Sequence, residues 1–176
     1  MKSTATAYGR LAQALHWISA LLILILWPIG FSMIRMADGA AKTRLYQVHV
    51  AIALLILLLT IARIVWHFMD TRPDLPDGLT PSNAKALRLT RNLLLIFLLL
   101  MLSSGIAMLL LSGLGLLPAG VTPEAIGDVL PRTTHSIFSK ILLVLLLVHV
   151  GGVVRYQRTK GNTFARMGVP LPGAKK

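Results

Sequence analysis

Five histidines are the side chains of this sequence best suited to chemistry: His16, His49, His67, His135 and His149. Each lies in or beside a long apolar run. There is no cysteine, which excludes disulfides, iron–sulfur clusters, the Cys-x-x-Cys-His attachment of c-type haem and thiol nucleophiles. Ionisable groups inside a bilayer are costly, so they face the bundle interior and carry function more often than not.

Flanking charges give the depth of each imidazole. His16 lies six residues after Arg10, and His149 six residues before Arg155. His49 lies five residues after Arg44, and His135 three after Arg132. Four histidines thus fall into two levels. His135 and His149 share one apolar run and are fourteen residues apart. On a helix that is about 21 Å of rise and only about 40° of azimuth. One helix face therefore offers an imidazole at each level. The expected pairs are His16 with His149 and His49 with His135.

Two imidazoles per level select among metal centres. Structural zinc takes four ligands, and no cysteine or carboxylate lies at either depth. One shared metal cannot span both levels. Haem b fits, because the porphyrin supplies four nitrogens, two imidazoles complete six, and a flat apolar ring suits a bundle core. For any single histidine the alternative is an interhelical hydrogen bond. Four at matched depths favour two haems b, with His16, His49, His135 and His149 as the iron ligands.

The elements that position them follow from composition. The chain is 55% hydrophobic, with mean hydropathy +0.73, beyond an ordinary soluble domain. Leu11 to Ile34 contains no Asp, Glu, Lys or Arg, which is long enough to span about 30 Å of hydrocarbon and too long for a cleavable signal peptide. Four spans are expected, at about 12–34, 46–68, 90–112 and 134–155. The fold class is all-α, an integral membrane four-helix bundle, forming one domain over residues 1–176. Pro28 is expected to kink the first span. A turn is expected at Pro76-Asp77-Gly78. The linker before the fourth span is apolar enough to lie in the interface or over the bundle end, and the basic tail is expected to be loosely ordered.

The formal net charge is +12. No nucleic-acid module accompanies it, so topology charge beside anionic lipid is the reading. Thirteen Lys and Arg fall on the side of the termini and five (Arg35, Lys42, Arg44, Arg132 and Lys140) on the other. That asymmetry places both termini in the cytoplasm. Arg10, Arg63 and Arg155 flank the inner histidine pair and are candidate partners for haem propionates, or plain topology anchors. Lys140 falls inside the fourth span and must snorkel or meet an anion such as a propionate. His67 lies beyond Arg63, where snorkelling beside Trp66 is favoured over ligation. Gly30, fourteen residues after His16, and Gly105 with Ser103 and Ser104 reach the outer level. There they leave room for a macrocycle or for close helix packing.

Tyr8 with His16-Trp17, His49 followed by Arg63, Trp66, Arg72-Pro73, and His135 with His149 form a set that resembles the bacterial cytochrome b561 family over nearly the whole chain. The resemblance implies a four-helix di-haem membrane cytochrome with His16, His49, His135 and His149 as axial ligands. It implies electron transfer between the membrane faces and exchange with quinone. Some members resemble a superoxide oxidase, taking an electron from superoxide outside and reducing ubiquinone near the inner face. The outer basic residues suit an anion such as superoxide, diluted by Asp38, Glu124 and Asp128. His67 and the start of the third span, "NAKALRLTRN", depart from the family pattern near the inner face. The alternatives are a haem b anchor subunit of a hydrogenase or dehydrogenase, and a non-haem metal-binding or structural bundle. A partner redox protein or a homodimer is compatible with either haem reading.

Overall fold

The computed structural model describes residues 2–126 and 128–170. Lys175 and Lys176, counted in the charge asymmetry, lie outside the described residues. Four long helices dominate: α1 (Arg10–Met33), α2 (Ala40–Met69), α3 (Pro81–Leu111) and α5 (Leu130–Thr159). All four are long and apolar enough to cross a membrane. Two short helices follow the last turns of α3 and α5: α4 (Pro123–Ile126) in the connection before α5, and α6 (Thr163–Arg166) in the C-terminal tail. No strand occurs among the described residues. Helix α1 matches its expected span to within two residues, whereas α2, α3 and α5 overrun theirs by a turn or more, because helix continues past the hydrocarbon into polar flanks such as "PSNAKALRLT". Helix α1 runs through Pro28 without interruption.

The helix ends have local causes. Thr80 caps α3, its Oγ accepting from the Asn83 N–H at 3.3 Å, with Pro81 at the first helical position. The other end of α3 closes in a Schellman motif. Gly113 adopts φ +71°, its N–H donates to the Leu110 carbonyl, and the Leu114 N–H donates to the Leu109 carbonyl. A side chain at Gly113 would strain that left-handed turn.

Packing is uneven in a way that matters for the site. Helix α1 lies along α2, and α3 along α5, whereas the two pairs approach each other closely at few points. They meet in one apolar cluster of Leu26 from α1, Ile56 from α2, Leu98 and Leu102 from α3, and Leu142 from α5. Leu142 stands seven residues from His135 and seven from His149. The cluster therefore sits between the two histidine levels. Among apolar lipid tails such a cluster gains packing rather than release from water. The outward faces stay apolar, with Leu58 64% and Leu147 63% exposed, as a lipid-facing surface requires.

At the end of the bundle away from the termini, the outer end in the expected orientation, the connection before α5 folds back over the bundle. Val121 and Ile126 bury against Leu109, with Tyr46 and Val50 packed around them. Ser112 Oγ donates to the Ile126 carbonyl at 2.5 Å, and Gln47 Nε2 to the Ala119 carbonyl at 3.2 Å.

At the other end the expectation of a loosely ordered tail is corrected over its described part. Trp17 Nε1 donates to the Met167 carbonyl at 2.9 Å, and the Tyr8 N–H to the Arg166 carbonyl at 3.0 Å. Arg166 Nη2 donates to the Asp74 carbonyl, and Tyr156 Oη to the Asp77 carbonyl at 2.6 Å, beside the turn at Asp77 and Gly78. The tail is held because groups distant in sequence satisfy its backbone.

Asp70 ties the N-terminal segment to the same assembly. Its carboxylate accepts from Ser3 Oγ at 2.6 Å, the Ser3 N–H at 2.9 Å, Trp66 Nε1 at 3.1 Å and the Thr71 N–H at 3.0 Å. The Ser3 hydroxyl and then the Ser3 N–H hold the Asp70 carboxyl below its ordinary pKa. A depressed pKa stabilises the fold above the unfolded value of about 3.9 and loses that contribution as pH falls through the folded value. Asp70→Ala is accordingly expected to speed amide hydrogen exchange across residues 2–9 at neutral pH. The wild type should show the same loss only at acidic pH, below about 4. Equal exchange in both proteins at pH 7 would show that the carboxylate does not hold the segment.

Candidate functional site

The outer level draws on all four long helices. His49 comes from α2 and His135 from α5, and their ring centres stand 6.3 Å apart with planes 68° to one another. Gly30 of α1 lies against His49, and Gly105 of α3 against His135. A Cβ at these positions would stand 3.3 Å from His49 Cε1 and 3.5 Å from His135 Cε1. The absent side chains are what let both imidazoles stand at one level between the helix pairs.

The hydrogen bonds of the two rings differ. His135 Nδ1 lies 3.1 Å from the Met101 carbonyl and 3.0 Å from Ser104 Oγ. A carbonyl only accepts, so Nδ1 carries the proton and Nε2 keeps its lone pair. That is the tautomer of a metal-ligating histidine with its other nitrogen anchored. His49 Nδ1 is buried without a partner, and an orphaned buried polar atom marks a site rather than a packed core.

At the inner level His16 of α1 and His149 of α5 are both half-buried. Arg63 and His149 lie near enough to His16 to act on it electrostatically, as do Arg91 and Arg63 on His149. Tyr8 lies within the field of Arg63. Trp17 sets its ring edge-on to His16, with centres 5.2 Å apart.

The remaining candidates are dispersed. Arg10, Arg155 and Lys140 stand exposed on α1 and α5, and Arg63 is exposed on α2 while its charge faces the inner pair. His67 is exposed and accepts from Arg72 Nη2. Among the outer bases, Lys42 is taken up by Asp38 in an ion pair of 2.7 Å. Arg91, Ser104 and the Met101 carbonyl join the two levels without having been singled out for these contacts by sequence. The Thr-Arg-Asn stretch at 90–92 offered a basic residue early in the third span, and only helix register turns it toward His149.

Among the described residues no group of three or more His, Cys, Asp or Glu comes together to hold a metal ion. The outer level brings two imidazoles together, His49 and His135. The family model of prokaryotic cytochrome b561 matches residues 7–169. The chain belongs to the prokaryotic cytochrome b561 family. As a member of that family it is a membrane protein that binds haem b and carries electrons across the membrane. The comparison with curated proteins found no match, and neither did the comparison with solved structures.

The residues present fit such a group. A metal ion lying between two imidazoles on opposite sides, about 2 Å from each nitrogen, needs ring centres roughly 6 to 6.5 Å apart, and the outer rings stand at 6.3 Å. Gly30 and Gly105 leave the space beside both imidazoles free of a side chain, and α2 and α3 approach each other closely at few points.

Proposed function

We propose that this member of the prokaryotic cytochrome b561 family moves electrons through two haems b. His49 and His135 hold the outer one, and His16 and His149 the inner one. The donor is a one-electron reductant at the outer face, superoxide, and the acceptor is ubiquinone near the inner face. The activity is that of a superoxide:ubiquinone oxidoreductase in a bacterial inner membrane, with both termini cytoplasmic and residues 1–176 acting as one domain. The 6.3 Å separation of the His49 and His135 rings carries the haem part of this reading most directly.

Haem b supplies a one-electron iron couple whose potential is set by its axial ligands and surroundings. The chain's own side chains do the rest. The four imidazoles orient two sites about 21 Å apart along α5. The cluster around Ile56 and Leu142 excludes water between them. Arg63, whose charge reaches both inner imidazoles, is the propionate partner that the geometry favours over Arg10 and Arg155. Lys140, exposed on α5 five residues past His135, takes that role at the outer level. Arg35 and Arg44, exposed at the outer end, attract an anionic donor. The outer connection folds onto the bundle instead of projecting from it, which supports a protein working without a docked dehydrogenase.

Stopped-flow mixing of the oxidised holoprotein with superoxide tests the reading. Haem reduction within the mixing experiment, followed by reoxidation on adding ubiquinone, is expected. Reduction by a hydrogenase or dehydrogenase partner but not by superoxide would establish the anchor-subunit reading instead.

A further inference from the structure

The two outer imidazoles are held unequally. Ser104 is buried on α3, and its Oγ donates to the Met101 carbonyl at 2.8 Å. A serine that bonds back to its own helix is ordinary in an apolar helix, and Ser19 and Thr60 do so at 2.6 and 2.7 Å. Ser104 differs because its oxygen also meets His135 Nδ1 at 3.0 Å, and that nitrogen shares the same Met101 carbonyl. With the hydroxyl proton committed to the carbonyl, the Oγ lone pairs face the ring N–H. Nδ1 thus has two acceptors on α3, whereas His49 Nδ1 has none.

We propose that Ser104 is a positioning residue of the outer site, one that adds a second acceptor to the His135 Nδ1–H already held by the Met101 carbonyl, steadies the ring and makes it the more strongly donating of the two outer imidazoles. The inference rests on His49 and His135 being the axial pair of the outer haem. A hydrogen bond from the far nitrogen raises the basicity of a ligating imidazole, and a more basic ligand favours oxidised iron. Ser104 therefore lowers the reduction potential at the outer level and leaves the inner level alone.

The test compares Ser104→Thr with Ser104→Val in the purified holoprotein. The two side chains have the same shape, and only threonine keeps the hydroxyl. Redox titration of the visible bands and low-temperature EPR of the oxidised protein are the readouts. Ser104→Thr should reproduce both reduction waves of the wild type. Ser104→Val should displace one reduction equilibrium toward the reduced form by about three- to tenfold, tenfold being 59 mV for one electron. It should also move one set of EPR g values. Loss by the valine variant of a haem that the threonine variant keeps would equally support the role. Two variants with the same waves and g values, whether both unchanged or both shifted, would overturn it. His135→Ala fails or sustains the underlying reading separately: a variant that keeps both low-spin signals would remove the axial pair itself.

Discussion

His149→Ala is expected to halve the low-spin haem signal of the purified protein, and His16→Ala to remove the same half. His49→Ala and His135→Ala should remove the other half. The expectation follows from the division of labour along α5. His135 and His149 lie fourteen residues apart on one helix but face different partners, His49 of α2 for one and His16 of α1 for the other. The apolar cluster between them is built from Leu26, Ile56, Leu98, Leu102 and Leu142 and contains no polar group that would couple the two levels. Loss of one iron ligand should therefore stay local. The double variant His16→Ala with His149→Ala should look like either single one, since each already breaks the same centre. Loss of both halves in every variant would mean that the haems fold the bundle together. Retention of both in any of the four would remove that residue from the ligand set. The check is EPR of the oxidised protein alongside the reduced-minus-oxidised spectrum.

Gly30→Leu is expected to cost the outer haem while leaving the inner one in place. A Cβ at Gly30 already meets His49 Cε1 at 3.3 Å, tighter than ordinary van der Waals contact. The branched end of leucine would reach further into the same space. Gly105→Leu should do the same through His135, where the first carbon stands at 3.5 Å. The sign of the effect is what makes this informative. Both glycines lie inside helices, where exchange for a larger residue gains about 0.8–1 kcal/mol of helix propensity. Overpacking a filled site costs about 1–3 kcal/mol. If the glycines served only helix packing, haem content would follow the stability of the whole bundle and both signals would change together. Selective loss of the outer signal is the expected result, and two intact haems in Gly30→Leu would contradict it.

Much of this arrangement is legible in the sequence, because the bilayer restricts the choices. Runs such as Leu11 to Ile34 without a charge have to be helices across a membrane, and Arg10, Arg44, Arg132 and Arg155 mark where each run meets water. From those marks and the helical rise, the level of each histidine follows. Gly30 and Gly105 were legible as small residues at the outer level, and their contacts with His49 and His135 give that position its meaning. Other features escape a reading of one dimension. The linkage of Ser104 to His135 depends on azimuth between two helices thirty-one residues apart, which spacing alone does not fix. The field of Arg91 on His149 depends on α3 lying along α5. Asp70, one of three aspartates in the connection between α2 and α3, gathers Ser3, Trp66 and Thr71 because a segment distant in sequence returns to it. The same return explains why the described part of the tail is held through Tyr8 and Trp17.

The measurement that bears most directly on the two-level account is the haem b content per polypeptide of the purified wild-type protein, taken as the pyridine haemochrome against a quantitative amino-acid analysis. Two haems b per chain, both low-spin with paired imidazoles, is the result expected of His16 with His149 and His49 with His135. One haem per chain, or a second one lacking a histidine on either side, would contradict it.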